Sequence, residues 1–200
     1  MKGLVAAALG AHVLITDLQS VVTEMIEPNI LRNSAGNSQV SSSWRGAHTI
    51  GVRGGTAAAM NLDWTQDISC QSHINNPLES DLLIAADTVW LKSLIVPFAT
   101  TVASILAPRR INTEELPSGE VSRGPAYCFL AFQERSHPGS ETFAGTTELL
   151  DALRAANCSV ELLPARVIPE HGNAGRIDRP VQEGAVVHVY RVSWLYDTKY

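Results

Sequence analysis

The stretch GLVAAALGAHVLITD, Gly3–Asp17, decides the fold class. Lys2 to Leu9 reads as a short Ala-rich helix stopped by Gly10, and His12 to Thr16 as a buried strand that runs directly into an acid, Asp17. An acid at the carboxyl end of a buried strand is the device by which Rossmann-type domains hold the ribose hydroxyls of an adenosine cofactor. The plainer reading of Asp17 is a helix N-cap for the segment starting near Gln19. One carboxylate can serve both purposes.

Outward from that stretch, Leu18, Val21, Val22, Met25, Ile26 and Ile30 recur at three- and four-residue steps and predict one apolar helical face. Pro28 lies inside the pattern, so the helix is expected to end near Glu27 or to kink there. Residues 32–55, rich in Ser, Asn and Gly, read as a loop insertion. Ala57 to Leu62 predicts a strand running into Asp63-Trp64, and Asp81 to Ala86 a buried strand running into Asp87. A helix over Leu91 to Leu106 and a strand over Ala126 to Gln133 follow. A further helix, lined by Phe143, Leu149, Leu150 and Leu153, is expected to end at Asn157 in a left-handed cap. Two last strands, Val160–Leu163 and Val186–Val192, have no helix between them. The expected architecture is a single α/β domain over residues 1–200, with a mostly parallel sheet and a C-terminal antiparallel hairpin.

Composition narrows the class. The chain has 200 residues, 45% of them hydrophobic and 18% charged, which describes a globular protein with a substantial core. A formal charge of −5 argues against a nucleic-acid or membrane-surface partner. The basic clusters at Arg109-Arg110 and Arg166 to Arg179 read as solvated loops. The three cysteines are dispersed, which points to a reducing compartment and to neither a disulfide framework nor a zinc site. The cytoplasm is the expected location, with the nucleus as a second. The apolar start lacks a small-x-small cleavage site and is broken by His12, so it is not read as a signal peptide. Leu91 to Ala107 contains Lys92 and Pro97 and falls short of the roughly 20 apolar residues of a spanning helix. The six histidines show no ligand spacing, so no metal is expected. Neither a G-x-S-x-G elbow nor a P-loop is present.

Three acidic positions therefore stand at strand ends. Beside Asp17, Trp64 offers an apolar face for an adenine ring and Asp63 an acceptor for its exocyclic amine; an ordinary core tryptophan is the alternative. Asp87 and Trp90 suit an amine, the carboxylate attracting an ammonium and the ring adding cation–π attraction. The alternative there is a cap for the following helix.

With these residues in view, the chain resembles the seven-β-strand S-adenosylmethionine-dependent methyltransferases, nearest to the methyltransferase-like protein-lysine methyltransferases often labelled nicotinamide N-methyltransferase-like. The stretches that carry the likeness are GLVAAALGAHVLITDL, EPNI, NLDW, DLLIAADTVW, CFLAFQERS and VVHVYRV, from Gly3 to about Val192. The resemblance implies a Rossmann-like methyltransferase sandwich with S-adenosylmethionine as cofactor and a protein lysine as acceptor. It implies that Asp17 holds the ribose, that Asp63 and Trp64 border the adenine, and that Ala86 flanks the cofactor through its backbone. Asp87 to Trp90 matches the Asp-x-x-aromatic motif of the amine entry, where the family has Tyr or Phe. The family's E-x-G-x-G-T-G turn and first strand would precede Gly3. On that basis the chain is expected to be either an N-terminally truncated copy or a degenerate relative with weak cofactor affinity. Two competing expectations are a non-catalytic interaction protein that keeps the fold and an NAD-dependent oxidoreductase that uses Asp17 for its own ribose.

Overall fold

Helix α1 (Lys2–Ala8) ends where Gly10 adopts φ +109°, and the chain turns into strand β1 (His12–Asp17). This is the first part of a computed structural model that describes residues 2–34, 44–71, 74–108, 126–134, 140–164 and 187–195. The basic clusters at 109–110 and 166–179, most of the Ser/Asn-rich stretch and most of the long final connection lie outside the described residues. The chain divides into two compact units, Met1–Glu79 and Ser80–Tyr200, where the sequence reading expects one domain.

In the first unit the helical segment after β1 runs on as α2 (Gln19–Val21), a π turn (Val22–Ile26) and α3 (Glu27–Asn33). The Glu27 N–H reaches back five residues to the Val22 carbonyl. Pro28 thus neither ends the helix nor stands in an unbroken α-helix. The wider turn lies just before it, where its missing N–H and its ring would otherwise disturb the ladder. Strand β2 (His48–Ile50) lies inside the stretch expected to be a loop and pairs antiparallel with β3 (Gly55–Asn61), which pairs parallel with β1. The sheet order is β1-β3-β2. On one face Ala7, Ile30, Ile50 and Ala57 form a core, with Val13 and Ile15 packed against it. On the other, the His12 ring meets the Thr56 hydroxyl at 3.0 Å and the Trp44 indole N–H donates to the His12 carbonyl at 3.1 Å. Gly55 cannot be anything larger, because a Cβ there would run into the carbonyl oxygens of Ala7 and Ala11.

The second unit repeats the strand–helix–strand plan. Strand β4 (Leu82–Ala86) leads through a 3-10 turn (Lys92–Leu94) into α4 (Ile95–Leu106), and β5 (Tyr127–Gln133) returns parallel to β4. Helix α5 (Thr146–Ala155) then closes on Asn157 at φ +61°, the left-handed cap read from the sequence. Strands β6 (Cys158–Leu162) and β7 (Val187–Trp194) form the antiparallel hairpin, giving the order β4-β5-β7-β6.

The fold class is therefore mixed α/β, but "mostly parallel" needs correction. Each sheet has one parallel pair, and the other three ladders are antiparallel. The reason is that β2 joins β3 as an antiparallel neighbour and that β7 lies between β5 and β6. In the second sheet one face holds Ala85, Cys128, Leu130, Phe132, Tyr190 and Val192, all buried. Register places Leu82, Ile84, Phe129 and Val189 together on the opposite face, where each is between 38% and 58% exposed. Among the described residues no helix is long and apolar enough to cross a membrane.

Candidate functional site

In the first unit, parallel pairing brings two of the predicted acids to one rim. Asp17 is the last residue of β1 and is register partner to Asn61, the last of β3. The Leu62 N–H donates to the Asp17 carbonyl at 2.8 Å, which carries the ladder one step further, to the residue before Asp63. Asp17 and Asp63 thus leave neighbouring parallel strands at their carboxyl ends, the edge where open α/β sheets take ligands.

The two carboxylates differ in what they have left to offer. Asp17 is exposed, and its Oδ1 accepts from the Leu18 N–H at 2.8 Å. This is an adjacent-residue contact and not the N2 or N3 bond of a cap, and the helix start shows no side-chain cap at Leu18. The cap alternative therefore does not occupy this carboxylate, and Oδ2 can receive a hydroxyl. Asp63 is more committed. Its Oδ1 accepts from both the N–H and the hydroxyl of Thr65, at 2.9 and 2.6 Å, and its Oδ2 accepts from Gln66 at 3.1 Å. The Thr65 hydroxyl, then its N–H, hold the Asp63 carboxyl below the usual range. A carboxylate has about four acceptor positions, so one remains on Oδ2. Trp64 follows, half-buried.

Gln71, which sequence reasoning did not single out, fixes this turn. Its Oε1 accepts from the Asp63 N–H at 3.0 Å and its Nε2 donates to the Asp63 carbonyl at 2.8 Å. Two-sided amide pairing of this kind stands in for a missing strand neighbour. Gln71 also lines a shallow pocket of about 200 Å3 with Ile68, Asn75 and Leu78. The Asn75 side chain is spent on both backbone groups of Arg45.

In the second unit, Ala86 ends β4 opposite Ala131, and the Asp87 N–H donates to the Ala131 carbonyl at 2.9 Å. Asp87 then turns sharply, with φ +57°, a left-handed conformation uncommon outside glycine and tolerated best by Asn and Asp. The Thr88 hydroxyl oxygen is buried without a hydrogen-bond partner. Trp90 is 44% exposed and its ring centroid lies 6.5 Å from that of Phe143, tilted by 38°. The chain segments bearing these rings pair antiparallel at Leu91 and Phe143. Ala144 N–H donates to the Trp90 carbonyl at 3.0 Å, and Lys92 N–H to the Thr142 carbonyl at 3.0 Å. The sequence reading places Phe143 on the helix that ends at Asn157, but that helix begins only at Thr146 and Phe143 pairs instead with Leu91; no local signal links residues so far apart.

Beside the clamp, the Lys92 ammonium meets Glu148 Oε1 at 2.7 Å, and Glu148 Oε2 accepts from the Gly145 N–H at 3.2 Å. Glu148 is the third residue of α5, so it caps its own helix while it pairs with Lys92. The Lys92 bond first, then the Gly145 N–H, hold its carboxyl below the usual range.

The predicted site residues accordingly fall into two groups. Asp17, Asp63 and Trp64 share the rim of the first sheet. Ala86, Asp87 and Trp90 stand at the end of β4 in the second, so the expected single rim is not one continuous sheet edge. Among the described residues no group of three or more His, Cys, Asp or Glu is placed to hold a metal ion. No protein-family model matches the chain, and no curated protein sequence matches it.

Proposed function

We propose that the chain is a methyltransferase-like protein whose first unit binds the adenosine part of S-adenosylmethionine and whose second unit receives an amine, the side chain of a protein lysine. The observation that supports this reading is the pairing of β1 with β3, which brings Asp17 and the Asp63-Trp64 turn to the same carboxyl edge of the sheet. Asp17 Oδ2 would take a ribose hydroxyl. Asp63 Oδ2 has room for one donor, which the exocyclic amine of adenine supplies, and Trp64 would lie against the ring.

When bound, the cofactor supplies an electrophilic methyl on a sulfonium. This chain's own contribution is to hold an amine: Asp87 attracts and orients it, and Trp90 walls the approach. Such catalysis is mostly proximity and alignment.

The test is a thermal-unfolding titration with S-adenosylmethionine and, in parallel, NAD. A ligand at a hundred times its dissociation constant stabilises by about 2.7 kcal/mol. Stabilisation by S-adenosylmethionine that Asp17→Asn abolishes supports the reading. Stabilisation by NAD instead points to an oxidoreductase, and no stabilisation by either returns the chain to a non-catalytic interaction protein.

A further inference from the structure

Trp90 and Phe143 are set side by side by backbone pairing and not merely by side-chain packing. The antiparallel bridge at Leu91 and Phe143 is flanked by a hydrogen bond on each side, so the backbone positions that carry the two rings are held together. Trp90 nevertheless stays 44% exposed and Phe143 half-buried, which leaves part of this aromatic surface to solvent.

Two exposed acids flank the pair along the chain. Asp87 precedes Trp90 by three residues and Glu141 precedes Phe143 by two, and both are exposed. Because the two segments run antiparallel, these acids stand towards opposite ends of the clamp. The cation within the clamp, Lys92, is bound to Glu148 at 2.7 Å. Two aromatic faces between acids, with the neighbouring cation already engaged, suit a cation that keeps its alkyl stem against the rings.

We infer that Phe143 and Glu141 complete the amine site of the second unit, and that its occupant is a lysine side chain of a protein. This deepens the amine-site assignment above and rests on it for Asp87 and Trp90. Phe143 acts by contact with the alkyl stem and ammonium, and Glu141 by attraction at the far end from Asp87. A neutral side chain of equal length would gain the stem contact and lose the rest.

The experiment uses the full chain without cofactor. Its tryptophan indole N–H signals are followed by NMR, with Trp90 assigned by Trp90→Phe. Two short Gly/Ser peptides are compared, one with a central lysine and one with norleucine in its place. We expect the lysine peptide alone to move the Trp90 signal. Phe143→Leu and Glu141→Gln should each weaken that binding about threefold or more, the size expected when a cation–π or charge contact at an exposed site is lost. Phe143→Tyr should retain it. Equal binding of the norleucine peptide, or lysine binding unchanged in both Phe143→Leu and Glu141→Gln, overturns the inference. Glu141→Gln, a surface change, keeps the test decisive if Phe143→Leu unfolds. The two proposals separate cleanly. Lysine discrimination without S-adenosylmethionine binding overturns methyl transfer alone, and cofactor binding without lysine discrimination overturns this inference alone.

Discussion

Asp17 and Asp63 leave the first sheet side by side, because the last register pair of β1 and β3 joins Asp17 to Asn61 and the ladder continues through Leu62 to the Asp17 carbonyl. Their side chains are not equivalent. Asp63 is tied into its own turn by Thr65 and Gln66, whereas Asp17 is exposed and gives one oxygen to the neighbouring N–H. A nucleoside at this rim would therefore depend on Asp17 most. Five further outcomes follow from the packing and electrostatics around the two units.

Gly55 sits where β3 begins under the carbonyl oxygens that close α1. Gly55→Ala forces the helix end away from the sheet and should cost about 3 kcal/mol or more, at the top of the range for overpacking. Denaturant unfolding measures this directly, and a midpoint close to that of the native chain would mean the approach is not as tight as the geometry shows.

The Thr88 hydroxyl is buried and unpaired, so removing it at constant shape should not destabilise the protein. Thr88→Val is expected to be neutral or stabilising by up to about 1 kcal/mol. A clear loss of stability would show that the oxygen has a partner in solution.

Burial pushes the Cys128 thiol up to about 12, with Cys158 nearby adding to the shift, and pushes Cys158 itself up to about 11. Cys70 is exposed. Only the thiolate is nucleophilic, so alkylation of the native chain at pH 8 should label Cys70 alone. Mass spectrometry after brief iodoacetamide treatment reads the outcome, and labelling of Cys128 at a comparable rate would contradict its burial.

Glu148 ionises more readily in the folded chain than in the unfolded one, held by Lys92 and the Gly145 N–H. A carboxyl depressed on folding adds stability above its unfolded pKa and loses it as pH falls through the folded value. Stability should therefore drop on acidification below about pH 4.5, near the ordinary glutamate value, and Glu148→Gln should flatten that limb. Unfolding midpoints between pH 3 and 7 test it; parallel curves for the two proteins would rule out the link.

Asn157 closes α5 in a left-handed conformation. Asn157→Gly should be tolerated within a few tenths of a kcal/mol, whereas Asn157→Ala should cost about 1 kcal/mol. Equal stability of the two variants would indicate that the cap can rearrange.

Much of this was open to a reader of the residues alone. The strands ending at Asp17 and before Asp87 and the left-handed Asn157 all rest on neighbours within a few positions. The Asp63 turn could also have been anticipated, since an Asp followed two residues later by Thr is the pattern of a side chain that folds back on its own backbone. The π turn was harder. Pro28 announces a disturbance in the helix, but whether it becomes an end, a kink or a wider turn depends on how Ile26 and Ile30 must face the core.

The residues by themselves determined most of the strands and helices, though not β2, and which acids stand at strand tips, because periodicity and backbone preference act over one or two turns of chain. Only the tertiary structure decided that β2 would join β3, that the strands would form two sheets, and that Phe143 would stand beside Trp90. Those choices depend on contacts between distant segments. Their free energy comes from shared burial and paired backbone groups and must repay the entropy of closing long loops, and no single stretch of sequence contains both sides of that balance.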